Sequence, residues 1–261
     1  MRELLLLATL GRANAGEVPA GQIIAAIADD GRLTEFRIDS IEPDPADPEG
    51  DVHLYGVSEH NPDGSWSRHC APDAQGRSAA IPLSGSWDAT TGVYIEGSES
   101  QLTFACTSGA IGKCVRFGYK PWASKDGHSL APLHAACMRM VRADYCGDGR
   151  PHTRDGTQID VYDPLGVQIE ERTAAKREDF EAGWSESGAT YLNVPRWSDD
   201  VAAIVAECPE TLSTRSSLYQ KLDSAGVLAA FPETILFNNR IRDEEKRMPK
   251  VKQITGAQKA D

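Results

Sequence analysis

The sequence predicts a mixed α+β fold in which a β-rich N-terminal half packs with a central helix at 129–146 and with C-terminal helices. Three observations carry this expectation. Between residues 21 and 122, short apolar or alternating runs recur between turn residues, as in a sandwich or barrel-like sheet. From Ser129 the apolar period lengthens from two residues to three or four. Beyond Gln158 one more alternating run is followed by segments of helical spacing.

Gln22–Ala25 and Leu33–Ile38 open the strand series, with Phe36 and Ile38 alternating with Arg37 and Asp39 as on a half-buried sheet. Asp39–Asp51 holds six acids, three prolines and no basic residue, and reads as an exposed loop. Val52–Val57 is a further strand, and Asn61-Pro62-Asp63-Gly64 is turn chemistry. Ile81–Leu83, Val93–Ile95, Leu102–Cys106 and Cys114–Tyr119 continue the extended series, with Gly109 and Gly112 as turn residues of a hairpin. Leu130–Cys146 reads as a helix with Ser129 as N-cap, Pro132 in the tolerant first turn and Gly147 as its stop. Leu133, Ala136, Cys137, Met140 and Val141 fall on one stripe, and His134, Arg139, Arg142 and Asp144 off it. Gln158–Tyr162 alternates like a strand, residues 174–183 and 199–207 have helical spacing, and 212–230 contain another helix. The expected organisation is a signal-like segment at 1–15, one domain over 16–239 and a basic mobile tail at 240–261. Within that domain lie a β-rich part (21–122), a helix and loop core (129–163) and a helical part (174–239).

The 261 residues include 39 acidic and 27 basic side chains, for a formal charge of −12. So negative a chain is a poor general ligand for nucleic acid, whose binding rests on neutralising phosphates. No run of ~18 apolar residues is present, so the sequence contains no membrane-spanning helix signal. With 40% hydrophobic and 25% charged residues the composition is that of an ordinary globular protein.

Six cysteines, Cys70, Cys106, Cys114, Cys137, Cys146 and Cys208, allow up to three disulfides in an oxidising compartment. Zinc is disfavoured, because its structural ligands usually pair two to four residues apart and the closest pair here, Cys106 and Cys114, has seven residues between. Cys137 and Cys146 would point about 180° apart, roughly 13 Å along one helix, too far for a shared bridge. At the N-terminus Arg2, the apolar Leu4–Leu10 and the triplet Ala13-Asn14-Ala15 resemble a secretory signal, although Glu3 is unfavourable in its basic region. A short first strand or helix of the domain is the alternative. The cysteine count favours export, to the periplasm, the cell surface or the medium.

The string Ala143-Asp144-Tyr145-Cys146 resembles the motif that names the bacterial ADYC-domain family. Thr103–Trp122 (TFACTSGAIGKCVRFGYKPW) and Ile81–Asp88 (IPLSGSWD) are similar to that family as well, so the resemblance spans most of residues 50–200. It implies an exported protein, often with a signal or lipoprotein leader, and brings no active site with it.

Candidate chemistry concentrates at residues 144–157. Cys146 as nucleophile, His152 as base and Asp155 as orienting acid would make a triad. A helix C-terminus, however, raises a thiol pKa rather than lowering it. The competing expectation places Cys146 in a disulfide, with His152 and Asp155 bonding the loop backbone. Asp144, Asp148, Asp155 and Asp160, or the acidic loop with Asp44, Asp47, Glu49 and Asp51, would suit calcium. The first set lacks EF-hand spacing, and solvated acids are the commoner outcome in both places, so no cofactor is expected and calcium is the single metal candidate. Trp66, Trp87, Trp122, Trp184 and Trp197 include candidates for a sugar-stacking platform, though nothing in the sequence lines them up. The expectation is a disulfide-stabilised binding or structural domain with an unknown protein or glycan ligand. The alternative is a hydrolase or transferase using the 144–160 loop, through Cys146 and His152 or paired carboxylates.

Overall fold

The structure, a computed structural model, describes residues 19–27, 31–88, 91–99, 101–170 and 180–241, and the backbone of 3–6. The remainder of the signal-like segment, part of the 174–183 pattern and the tail beyond 241 lie outside the described residues.

Alternation in the N-terminal half builds strands β1 (Glu3–Leu6), β2 (Ile23–Ile27), β3 (Leu33–Pro43), β4 (His53–His60), β5 (Trp66–Arg68), β6 (Ala80–Ser84) and β7 (Leu102–Cys106). All pairings are antiparallel. Strand β3 bonds both β2 and β4, β6 joins β4 to β7, and β1 joins β7 to β2, so six strands close into a barrel with β5 appended to β4. Closure removes the exposed edges that an open sheet would leave. Ile24, Ala26, Phe36, Ile38, Tyr55, Val57, Ala80 and Phe104 fill one core with the Cys70 and Cys106 sulfurs. Their strand neighbours Leu54, Ile81, Leu83 and Ala105 belong to a second core. Burial on both faces is why β6 and β7 read as nearly continuous apolar runs.

The second core is organised by helices α1 (Ala110–Arg116) and α2 (Ala131–Arg142), with the short hairpin β8 (Ser124–Lys125) and β9 (His128–Ser129) between them. Beyond α2 lies a four-stranded antiparallel sheet of β10 (Ile159–Tyr162), β11 (Phe180–Ser185), β12 (Gly188–Leu192) and β13 (Leu236–Arg240), in the order β10-β13-β11-β12. Helices α3 (Val201–Glu207), α4 (Pro209–Leu212) and α5 (Ser224–Ala230) complete the fold. Leu133, Ala136, Cys137 and Met140 of α2 pack in one cluster with barrel side chains on one side and with Ala182, Trp184, Leu192 and Leu236 on the other.

The mixed α+β class and the β-rich N-terminal half are as expected, and the barrel is the form the sheet takes. Three local expectations are corrected. Cys114–Tyr119 is not a strand: Ile111, Cys114 and Val115 stand at helical spacing, and α1 buries all three. Gly112 is a site of close approach there, since a Cβ would meet the Cys106 carbonyl oxygen at 2.4 Å. Helix α2 stops at Ala143, in the left-handed region at φ 50°, and not at Gly147. Its N-cap is Leu130, while the Ser129 hydroxyl accepts from the Ala131 N–H two residues on. The C-terminal part is also less helical than expected. Phe180–Ser185 and Leu236–Arg240 are strands whose buried polar residues, Glu181, Asn238 and Asn239, mask the alternation.

All six cysteines are paired, as Cys70–Cys106, Cys114–Cys137 and Cys146–Cys208, with Cα separations of 5.4, 5.8 and 5.3 Å. The first bridge lies in the barrel core, the second staples α1 to α2, and the third ties the exit of α2 to the start of α4. Each is worth roughly 2–4 kcal/mol in the usual range for such bridges.

Candidate functional site

The 143–153 corner is built from hydrogen bonds that end α2. The Asp144 N–H donates to Arg139 O (2.9 Å) and the Ala143 N–H to Met140 O (3.0 Å), the paired pattern of a Schellman stop. Asp144 is fully buried, and its Oδ2 accepts from Arg139 Nη1 (2.5 Å) and the Gly149 N–H (3.0 Å). Tyr145 stacks on Trp184, with ring centroids 5.4 Å apart. Its hydroxyl donates to Glu181 Oε1 (3.1 Å) and accepts the Arg196 N–H (2.9 Å). Burial first, and then the Glu181 charge, push the Tyr145 hydroxyl well above its ordinary pKa, so it stays a neutral donor. Arg196 Nη2 also donates to Glu181 Oε1 (2.9 Å), and further bonds of the guanidinium reach Met140 O (2.7 Å) and Val141 O (3.1 Å) at the end of α2. Asn238 Nδ2 completes the carboxylate at 2.9 Å. Gly147 cannot carry a side chain, because its φ is +74° and a Cβ would lie 1.7 Å from the Ser187 carbonyl oxygen.

This geometry places each candidate of the 144–157 segment. Cys146 is bonded to Cys208 and offers no thiolate in that state. His152 Nδ1 donates to Ala143 O (3.1 Å), and Nε2 lies 3.2 Å from Glu207 Oε2, so both ring nitrogens face groups other than Asp155, which is exposed on the loop. Among the described residues Asp144, Asp148, Asp155 and Asp160 do not converge into a cluster able to hold a cation. Asp160 instead accepts from Asn239 Nδ2 (3.0 Å).

In the acidic loop, Asp47, Glu49 and Asp51 do converge, around the Lys120 ammonium. Lys120 Nζ donates to Asp47 Oδ1 (2.8 Å), Glu49 Oε2 (2.7 Å) and Asp51 Oδ1. Burial pushes the Asp47 carboxyl up, but the Lys120 bond and the Val52 N–H outweigh it and hold it at about 2. Asp44, the fourth acid, is taken by Arg116 Nε (2.8 Å). The position a cation would occupy among these acids is therefore held by a side chain of the protein.

The acidic loop leads, at Asp51, to a cavity of about 660 Å³ between the outer wall of the barrel and the start of α2. Val52, Ile81 and Leu83 line its barrel side, Ala131, Pro132, His134 and Ala135 its helix side, and Trp87, Tyr94 and Trp122 the walls between. The volume falls in the range of small-ligand sites. Trp87 meets Tyr94 edge to face, with centroids 5.3 Å apart, and Trp122 Nε1 is oriented by a bond to Asp51 Oδ2 (2.9 Å). Burial pushes His134 down to about 4, against a modest opposing effect of the Ile111 carbonyl, so its ring is neutral at ordinary pH. Of the five tryptophans only Trp87 and Trp122 share this site: Trp184 is core, Trp66 stacks on His60, and Trp197 lies under Arg154.

No curated protein and no solved structure matches this chain. A model of the ADYC domain matches residues 20–198, which hold every barrel strand except β1, both central helices, the cavity and the Tyr145–Glu181–Arg196 network. With that match over more than half its length, the chain belongs to the ADYC domain family.

Proposed function

We propose that this ADYC domain is an extracytoplasmic, disulfide-stabilised binding module whose ligand places an apolar or aromatic group in the cavity between the barrel and α2. The observation that supports this most is the convergence of Trp87, Tyr94 and Trp122 on one apolar cavity of small-ligand size. Such a lining supplies contact area at little entropic cost, and half-exposed rings are costly to keep wet without a partner. Three bridges and the absence of unpaired cysteine fit an oxidising compartment, whether periplasm, cell surface or medium. A cysteine hydrolase using the 144–160 loop has less support, since the Cys146 sulfur is bonded and His152 is directed at Ala143 and Glu207.

Titration of the oxidised full chain with the neutral fluorophore N-phenyl-1-naphthylamine tests the reading. A saturable 1:1 enhancement is expected, abolished by Ala135→Trp, which fills the cavity from α2, and weakened by Trp87→Ala. Enhancement that is absent, or indifferent to both substitutions, would overturn it.

A further inference from the structure

We propose that this cavity selects an organic cation, an ammonium group on a small apolar body, over a neutral molecule of the same shape; the proposal rests on the cavity being the binding site. The charged side chains on the wall are two carboxylates, Asp51 and Glu186, and neither lysine nor arginine lines it. Asp51 is engaged by Lys120 and by the Trp122 indole, so its main effect is to fix that ring. Lys120 itself is saturated by Asp47, Glu49 and Asp51 and does not line the cavity. Glu186 is exposed, and Arg139 takes its backbone carbonyl (3.1 Å) rather than its carboxylate. Glu186 is therefore an exposed residue of the lining whose carboxylate has no described cation paired to it.

The rings supply the second element. Aromatic faces carry the negative end of a quadrupole, and indole is the strongest cation acceptor among side chains. Trp87, Tyr94 and Trp122 around one cavity, with the exposed Glu186 also in its lining, lower the cost of desolvating a diffuse cation while repelling anions. His134 is neutral inside the wall, and His53 stands exposed at its edge. A purely apolar site would gain nothing from the Glu186 carboxylate and would be equally served by a neutral side chain there.

Choline and its uncharged carbon isostere 3,3-dimethyl-1-butanol separate the alternatives. Each is titrated at pH 8 and low salt, above the range in which imidazoles charge, to displace N-phenyl-1-naphthylamine from the oxidised full chain. Choline is expected to displace the fluorophore at roughly tenfold lower concentration, the scale of one desolvated cation–π contact. Glu186→Gln, at an exposed position, is expected to cut that advantage about threefold and to leave the alcohol unchanged. Equal or better displacement by the alcohol, or displacement by neither, would overturn cation selectivity while leaving the cavity a neutral binding site. Failure of the fluorophore itself to bind would remove the underlying reading, and this inference with it.

Discussion

Replacing Tyr145 by Phe isolates the one hydroxyl on which the family motif's corner depends. The ring and its stack on Trp184 remain, and what disappears is one donor to Glu181 Oε1 (3.1 Å) and one acceptor for the Arg196 N–H (2.9 Å). A buried N–H left without an acceptor costs about 1–3 kcal/mol, and a lost bond to a charged acceptor about 1.5–3 kcal/mol. Glu181 keeps its bonds from Arg196 and Asn238, which limits the loss at the carboxylate. The expected destabilisation is therefore about 2–4 kcal/mol, a large share of the ~5–15 kcal/mol by which domains are stable. Guanidinium unfolding with disulfides intact measures it as a lower midpoint at unchanged slope. Tyr145→Ala, which also loses the stack and opens a cavity, is expected to cost more. A Tyr145→Phe variant within 0.5 kcal/mol of its parent, the usual scatter of an uninvolved surface site, would refute this view of the corner and return the hydroxyl to chemistry.

Two further outcomes follow from the titrating groups. His134 is held at about 4, below the ordinary 6.5, so the unfolded chain takes up its proton first and stability falls as pH drops from 6.5 towards 4, by about 3 kcal/mol at most. His134→Gln, which keeps a donor for Ile111 O, should lack that slope, so that the parent–variant difference itself changes between pH 6.5 and 4; a pH-independent difference would contradict the assignment. Asp47, held at about 2, contributes stability that is complete above 3.8 and lost as pH falls through 2. Lys120→Met should therefore cost about 1–3 kcal/mol at pH 7, less than for a fully buried pair because Glu49 and Asp51 reach solvent, with the gap closing below pH 3.8. Calcium, which would need the same oxygens, should leave the melting midpoint of the parent unchanged against chelator, and a raised midpoint would show that it displaces Lys120.

Barrel strands β2, β3, β4, β6 and β7 were legible because runs such as Phe36 and Ile38 carry their periodicity in the local sequence, whereas β1 fell within the segment read as signal-like. Helix α2 was legible for the same reason, down to the conclusion that Cys137 and Cys146 have different partners. What the chain concealed depends on distant residues. Glu181, Asn238 and Asn239 break the strand pattern because each is buried against a partner far along the chain, such as Arg196, Trp184 or Asp160. Gly109 and Gly112 suggest a turn, but α1 needs Gly112 only so that it can approach the Cys106 carbonyl. The polar density of 144–157 looked like chemistry because closing a helix and turning a tight corner use the same side chains as catalysis. Trp87 and Trp122 were individually visible, while their shared cavity arises only when the loop after β6, the segment before β8 and the start of α2 meet.

The central claim is that binding takes place at the aromatic cavity and that the family motif is architectural. Backbone and indole NMR shifts recorded while the ¹⁵N-labelled, oxidised chain is titrated with choline test it most directly. Perturbations centred on Trp87, Tyr94, Trp122 and Ala135, with residues 144–157 unmoved, are the expected result. Shifts centred on Cys146, His152 and Asp155 with the cavity silent would contradict the account.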